Sequence, residues 1–204
     1  AEPRIIKKEL EKRRENLLIG AGCTQSDVFE TAMNKSQSDL EKVMSFYDYV
    51  EIMPISVYKS LLDRNTLQSE AEIIRVVKRI IDTANQLGIT VLATGNVHYN
   101  HPNDKIVRDV YIHSQGIGGT RHPLYLFDET KRLNTESPDQ HFRTTDEMLN
   151  EFPYLDKNSV YEYVVGNPNL LLDQIEQVSP VKDKLFTPEL DNSDDLLKEI
   201  VYEN

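Results

Sequence analysis

The chain has little cysteine, no long apolar run and fewer basic than acidic residues. Cys23 is the one cysteine among 204 residues, which excludes an internal disulfide and is typical of a reducing cytoplasm. No apolar run approaches the roughly 20 residues that a membrane-spanning helix needs, so we expect a soluble protein. The 23 basic and 34 acidic residues give a formal net charge of −11, which argues against a free-standing nucleic-acid binder because phosphate backbones would repel it.

The sequence also lacks the histidine motifs of common metal sites. No H-x-H or H-E-x-x-H pattern occurs, and His98 with His101 forms only a loop-like H-x-x-H. We therefore do not expect a dedicated metal shell from the histidines other than His98, which are His101, His113, His122 and His141.

Three apolar segments predict buried parallel strands, and helical patterns lie between them. The predicted strands are Leu17–Gly22, Tyr49–Met53 and Thr90–Thr94. Helical patterns at about 25–34, 38–46, 55–62 and 69–87 separate them. Strands that alternate with helices predict an α/β fold with a parallel sheet.

Helix signals in the sequence are mostly capping boxes, in which a serine or threonine precedes an acidic residue by three positions. We predict such boxes at Ser38–Glu41, Ser69–Glu72 and Thr144–Glu147. Thr24 is the predicted N-cap of the helix at 25–34, and Gly88 the predicted C-cap of the longest helix.

The second half of the chain is less periodic. Pro102 predicts the start of a helix that ends near Ser114, and the following segment to Gln140 loses periodicity. Its glycine stretch, Gln115–Arg121, follows a helix and lacks Gly-Lys-Ser/Thr, so a flexible loop is expected and not a phosphate loop. Further helices are predicted at 146–151, 159–165, 167–178 and 194–202, with an acidic extended stretch after Pro180.

The candidate metal site consists of Cys23, Asn96 and His98, which follow predicted strands. A thiolate and an imidazole are zinc ligands, whereas the amide of Asn96 is a poor substitute for an anionic ligand. The alternative is that Cys23 is a small buried hydrophobe and His98 a hydrogen-bonded residue at the rim of the sheet. Glu51 points into the site or is structural, and no local signature supports Cys23 as a thiol nucleophile.

Five segments together resemble one known family, the PHP region of PolC-type replicative DNA polymerase III alpha chains. The segment at 141–149, with the sequence His-Phe-Arg-Thr-Thr-Asp-Glu-Met-Leu, is the most specific of them. The resemblance covers nearly the whole chain and rests on Leu17–Cys23, Phe46–Pro54, Ala93–Tyr99, His141–Leu149 and Leu185–Pro188.

The resemblance implies part of a PHP-type β/α barrel of the TIM-like kind with extra C-terminal helices, lying after the family's exonuclease insertion. Residues 1–115 are then a partial barrel, 116–140 a loop or excursion, and 141–204 a helical part that leads into the polymerase core. A metal cluster with zinc or manganese is implied at the barrel rim. Cys23 matches the family's cysteine ligand, Asn96 stands at its usual aspartate, and His98 matches its final histidine.

The resemblance also implies that the parent chain is a DNA polymerase with a 3′–5′ exonuclease, whose magnesium site lies outside this chain. The expected role of this chain is structural and without catalysis of its own. Its expected partners are the rest of the polymerase chain, replisome proteins, and DNA only through the parent. Two alternatives stay open, a free-standing PHP-type metal-dependent phosphoesterase and a non-catalytic module that binds a replisome partner.

The beginning of the sequence supports the expectation of an excised piece. The apolar stretch near Ile5 is too short for a signal peptide, and Glu2–Pro3 has no obvious lead-in element. An excised part of a barrel would expose apolar edges, so we expect the isolated chain to form a non-native dimer or a loosened fold.

Overall fold

The computed structural model describes residues 5–114, 116–179 and 191–202. The chain divides into two compact units, residues 1–172 and residues 173–204. Within the described ranges, no helix is both long enough and apolar enough to cross a membrane.

A parallel sheet of three strands lies at the centre of the first unit. The strands β1 (Gly20–Ala21), β2 (Tyr49–Ile52) and β3 (Thr90–Ala93) lie side by side in chain order. Val50 is the partner of Val91 in the pairing between β2 and β3. The predicted mixed α/β fold with parallel strands is therefore confirmed.

Helices make up most of the rest of the described chain. They are α1 (Lys7–Glu11), α2 (Asp27–Asn34), α3 (Gln37–Met44), α4 (Lys59–Asp63), α5 (Glu70–Leu87), α6 (Lys105–His113), α7 (Glu129–Asn134), α8 (Thr145–Asn150), α9 (Lys157–Tyr161), α10 (Asn167–Leu172) and α11 (Ser193–Tyr202). Shorter helical turns lie at Arg14–Asn16, Ile55–Tyr58, Pro102–Asp104, Ile117–Gly119 and Glu162–Gly166.

The hydrophobic core lies between the sheet and the helices that connect its strands. Helices α2 and α3 connect β1 to β2, and α4 with α5 connects β2 to β3. Side chains from the connecting helices and from the strands join one apolar cluster, because each presents an apolar face to the other. The most deeply buried members include Leu40, Met44, Val50, Ile73, Val77, Ala84 and Val91.

The first strand is shorter than predicted. The structure places only Gly20–Ala21 in β1, and Leu17 and Leu18 are partly exposed, so the prediction of a buried strand from Leu17 is wrong at its beginning. Instead of pairing with another strand, the backbone N–H of Ile19 donates to the Asp48 carboxylate at 2.7 Å.

Two predicted N-caps differ from the observed ones by two residues. The cap of α2 was predicted two residues too early and that of α3 two residues too late. Ser26, and not Thr24, accepts from the Phe29 N–H at the start of α2. At α3 the reciprocal capping box joins Ser36 to Asp39, so the box predicted at 38–41 is wrong by two residues. Both errors have one cause, which is that several neighbouring polar residues can act as caps.

Three other predicted caps are confirmed. The hydroxyl of Ser69 accepts from the Glu72 N–H at the start of α5, and Gly88 ends that helix with a left-handed φ of 69°. Thr144 and Glu147 form a complete capping box at α8.

Residues 116–140 combine irregular chain with short helical turns, and α7 is the one α-helix among them that the structure describes. The predicted helix at 167–178 ends at Leu172, where α10 ends. The predicted acidic extended stretch after Pro180, together with the motif at 185–188, lies outside the described residues.

The outer edge of β3 is covered by a side chain. Alternate carbonyls of a parallel strand point to opposite neighbours, and the Val91 carbonyl points away from β2. The buried amide of Asn167 donates to this carbonyl at 2.9 Å. Asn167 therefore satisfies a backbone group that a fourth strand would otherwise bind.

Candidate functional site at the strand ends

A cleft of about 230 Å³ opens beyond the carboxyl ends of the strands and contains all three predicted ligand residues. Cys23 follows β1, whereas Asn96 and His98 follow β3, and the parallel sheet brings them to the same edge. The cleft is lined by Cys23, Thr24, Gln25, Met53, Val57, Ser60, Asn96, His98, Arg108, His122, Pro123, Leu124, Pro138 and Gln140.

Left-handed backbone occurs at two of these residues. Cys23 has a φ of 60° and Asn96 a φ of 45°, a region that asparagine tolerates better than most residues. At both positions the chain turns sharply just beyond its strand. The amide at position 96 is therefore compatible with the local backbone, whatever its part in ligand binding.

Cys23 is exposed and carries a free thiol. Its Sγ accepts from the Gln25 N–H at 3.4 Å, which fixes the side chain at the mouth of the cleft. The alternative prediction that Cys23 is a small buried hydrophobe is wrong, because the turn after β1 carries the residue out of the core.

The two imidazoles of the cleft are held in an environment that favours their neutral form. Burial lowers the pKa of His98, and the nearby guanidinium of Arg108 lowers it further. The pKa of His122 is lowered by burial first, and then by Arg108 and His98. Both rings are therefore neutral at neutral pH, which is the form that ligates metals.

These residues do not by themselves fit a complete metal site. In the described ranges, no three histidine, cysteine or carboxylate side chains lie close enough together to hold an ion. Cys23 and His98 are suitable zinc ligands, but Asn96 adds no charge and Arg108 adds a positive one. The predicted zinc or manganese site at Cys23, Asn96 and His98 stays a prediction.

Glu51 does not line this cleft. Its carboxylate accepts from the Thr94 hydroxyl at 3.0 Å and lies against Gly22, where an added Cβ would come within 2.8 Å of it. Glu51 is thus bound between the ends of neighbouring strands, which favours the structural interpretation.

The cleft also contains residues that the sequence argument missed. Arg108 comes from α6, and Gln140 comes from the segment just before the family-specific motif at 141–149. The backbone N–H of His98 donates to the Gln140 carbonyl at 2.9 Å, and Tyr99 pairs with His141 in parallel register. No periodicity in the sequence indicates this pairing, because each partner contributes only two or three extended residues.

A buried arginine holds that segment in place. The side chain of Arg143 is 1% exposed, and its Nε donates to Glu151 at 2.7 Å. Its Nη2 donates to the Ser56 hydroxyl and to the Asp139 carbonyl, each at 3.2 Å. Arg143 thereby ties the segment around residues 139–141 to the chain that follows β2.

Asp139 extends the same network toward the cleft. Its carboxylate accepts from the Tyr99 hydroxyl at 3.1 Å and lies 2.8 Å from Nδ1 of His141. Burial alone would raise the pKa of Asp139, but the bond to His141 and the charges of His141 and Arg143 outweigh burial and hold it below its ordinary value. His141 is therefore part of a structural network and not of the cleft lining.

Taken together, the fold is an α/β domain that gathers potential ligand side chains at the carboxyl ends of parallel strands, which is the class the sequence predicted. No family model matches the chain. It is similar along most of its length to chains named DNA polymerase III PolC-type, with 41% identity over 201 residues in Listeria welshimeri and 42% over 200 residues in Listeria monocytogenes. The relative from Staphylococcus epidermidis is 40% identical over 202 residues.

The alignments cover 98–99% of this chain but only 13% of each relative. The chain is therefore homologous to one segment of PolC-type DNA polymerase III. The predicted resemblance is confirmed at this level.

Proposed function

We propose that the chain is the PHP segment after the exonuclease insertion in a PolC-type replicative DNA polymerase III, and that its role there is architectural. The observation that carries the proposal is the similarity of about 40% identity over 98% of this chain, while the chain spans only 13% of the relatives it matches. The resemblance places the polymerase and exonuclease sites in other parts of the parent chain, so we expect no DNA synthesis by this chain alone. A role in replication implies a cytoplasmic location.

The sheet supports the assignment to a PHP-type β/α barrel. Parallel strands in chain order with helical crossovers are the arrangement of a β/α barrel, whereas a doubly wound sheet reverses its strand order. In the part of the chain that the structure describes, the Asn167 side chain and not a fourth strand binds the outward Val91 carbonyl of β3. We propose that closure of the barrel takes further strands from the part of the parent chain that precedes this segment.

The proposed metal site also depends on parts of the parent chain that lie outside this segment. A zinc or manganese ion in the cleft would use Cys23 and His98 and take its anionic ligands from outside this chain. The magnesium that the parent uses for DNA synthesis would bind at another site, also outside it. The free-standing phosphoesterase is the weaker alternative, because this chain has no H-x-H motif and the described residues that line the cleft include no carboxylate.

The charge of the chain bears on its partners. A formal net charge of −11 favours contact with other protein surfaces over contact with DNA. We propose that the neighbours are the remainder of the polymerase chain and replisome proteins, and that DNA is bound through the parent.

The second candidate function is that of a binding module for a replisome protein. The segment at 116–140 favours it. Phe127 is 82% exposed and Leu133 76% exposed, although both are large apolar side chains. A double substitution of Phe127→Ser and Leu133→Ser should weaken binding of purified replisome proteins if this segment is the contact. Unchanged binding would contradict the binding-module function, and the architectural role would be the one proposal that remains.

The architectural role is tested by primer extension with the full-length polymerase. Combined substitution of Cys23→Ser and His98→Asn in the cleft should leave the extension rate unchanged. The core substitution Leu40→Asp should lower the yield of folded enzyme, because Leu40 is fully buried and a charge there has no partner. Loss of extension in the well-folded cleft variant would contradict the proposal.

A further inference from the structure

A groove of about 590 Å³ runs along one face of α5 and shares no described lining residue with the cleft at the strand ends. Its lining comes from α5 between Ala71 and Gln86, and from Gln37 at the start of α3. This part of α5 is about 22 Å long, at about 1.5 Å per residue. The groove lies opposite the α5 side chains that join the core, such as Ile73 and Val77, so it faces away from the core.

The lining of this groove carries more positive than negative charge, although the chain as a whole is acidic. Among the described residues that line it, Arg75, Lys78 and Arg79 are basic and Asp82 is acidic. The formal net charge of the chain is −11, so the groove reverses the sign of the whole chain locally. A surface of this sign attracts an acidic partner.

Two carboxylates near the groove offset this charge only in part. Glu72 lies 3.9 Å from Nη2 of Arg75, whose side chain is 75% exposed. An ion pair as exposed as this one is weak, because water screens it. Glu41 accepts from the neutral amide of Gln37 at 3.2 Å. Arg75 and the exposed Lys78 can therefore pair with a partner.

Arg79 is fixed in the groove by the fold. Its guanidinium donates to the carbonyls of Ala32 at 2.7 Å and Lys35 at 3.0 Å, and its Nε donates to Oε1 of Gln37 at 3.3 Å. The amide of Gln37 donates in turn to the Thr83 hydroxyl at 2.9 Å. A charge that is already fixed loses little conformational entropy when a ligand binds.

The spacing of the cations matches an extended peptide. Arg75 precedes Lys78 by three residues and Arg79 by four, which separates them by about 5–6 Å along the helix axis. Alternate side chains of an extended chain point to the same side and lie about 6.6 Å apart. Nucleic acid fits less well, because the described lining has no aromatic ring on which a base could stack, and Asp82 would repel phosphate.

We propose that this groove binds an extended acidic segment of a partner protein. Alternate carboxylates of that segment pair with Arg75 and Lys78, and Arg79 adds a fixed positive charge beside them. The amide of Gln86, which is exposed at the end of the groove, binds the backbone of the segment. The inference does not depend on the proposed function, since it concerns only the outer face of α5.

Fluorescence anisotropy with a short labelled peptide, in which glutamate and serine alternate, tests the proposal. The peptide should bind the chain saturably and more weakly as salt is added, whereas the same peptide with glutamine in place of glutamate should not bind. Equal binding of the two peptides would overturn the proposal. Tighter binding of a thymidine oligonucleotide would also overturn it and would assign the groove to nucleic acid.

Variants of the groove locate the binding. Arg75→Gln with Lys78→Gln should lower the affinity for the glutamate peptide about tenfold, and both side chains are exposed, so the fold should persist. Lys131→Gln with Lys157→Gln is the matched control, because it removes the same charge from exposed positions on α7 and α9. An equal loss in the control would overturn the proposal, since binding would then follow net charge alone.

The one carboxylate among the described lining residues gives a test in the opposite direction. Asp82→Asn should raise the affinity for the glutamate peptide at least twofold, because it removes a repulsive charge from an exposed position in the groove. Glu199→Gln on α11 is the control of equal charge change and should leave the affinity unchanged. An affinity that does not rise in Asp82→Asn would contradict binding in this groove.

Discussion

At the residue scale, the side chains that matter most are those that join distant parts of the chain. Arg143 and Asp139 hold the segment at 139–141 against the chain around Ser56 and Tyr99. Because the His98 N–H is bonded to the Gln140 carbonyl, the network also fixes one wall of the cleft.

Replacement of Arg143 should therefore destabilise the folded chain. Arg143→Met should lower the free energy of unfolding by at least about 2 kcal/mol, since it leaves Glu151 and several buried acceptors without their donor. Denaturant unfolding measures the effect. Arg75→Met, whose side chain is 75% exposed, is the control and should change little. Equal effects of the two substitutions would show that the buried network adds nothing to stability.

The Asp139 carboxylate should make stability depend on pH. Its pKa in the folded chain lies below the ordinary value of 3.8, so its contribution is fully present above that value and is lost as the pH falls through the lower folded pKa. Other carboxylates also titrate in this range, so the measurement is the difference between the parent sequence and Asp139→Asn. The difference in unfolding free energy should shrink as the pH falls below about 4. A difference independent of pH would contradict this account.

At the same scale, the sequence predicted the candidate site only in part. It identified Cys23, Asn96 and His98 from their places after strands, and the structure brings them to one cleft. It could not identify Arg108 or Gln140. Their positions in the cleft depend on how α6 and the segment before residue 141 pack against the strand ends. Long-range contacts of this kind leave no local pattern.

At the element scale, the regular secondary structure followed from periodicity and caps. The helix α5 has both a strong apolar stripe and clear end signals, and its ends were predicted to within a residue. The strand β1 was overestimated, because the apolar sequence does not reveal that the Ile19 N–H donates to the Asp48 side chain and not to a strand. The α-helix α7 was not predicted, since its six residues carry no apolar stripe.

The position of the cap at α3 can be tested directly. Ser36→Ala should destabilise the chain by about 1 kcal/mol, because the Ser36 hydroxyl accepts from the Asp39 N–H. Ser38→Ala is the matched control, since Ser38 lies inside the helix and its replacement should be neutral or slightly stabilising. Thermal unfolding of the two variants compares them. A larger loss with Ser38→Ala would favour the box that the sequence suggested.

At the scale of the whole molecule, the exposed apolar surface is what an incomplete part of a larger protein would have. On α6 four large side chains are 63–69% exposed, and they lie at positions that form one stripe of the helix. These residues are Ile106, Val107, Val110 and Tyr111. An uncovered apolar helix face of this kind favours association.

The isolated chain should therefore self-associate at high concentration. Light scattering coupled to gel filtration should detect dimers or larger species, and Val107→Glu with Val110→Glu should shift them toward monomer. Glu129→Gln with Lys131→Gln, on the surface of α7, is a control that should leave the distribution unchanged. A sharp monomer peak for the parent sequence at all concentrations would contradict the expectation.

The central proposal is that the site formed by the described residues at the strand ends is incomplete without ligands from outside this chain. Elemental analysis of the purified chain after exposure to zinc and manganese tests it most directly, alongside Asn96→Asp and Asn96→Gly. We expect little metal in the parent sequence and in Asn96→Gly, and a gain in Asn96→Asp, which adds a carboxylate to Cys23 and His98. Stoichiometric, chelator-resistant metal in the parent sequence would contradict the claim and would make the phosphoesterase function the one to pursue.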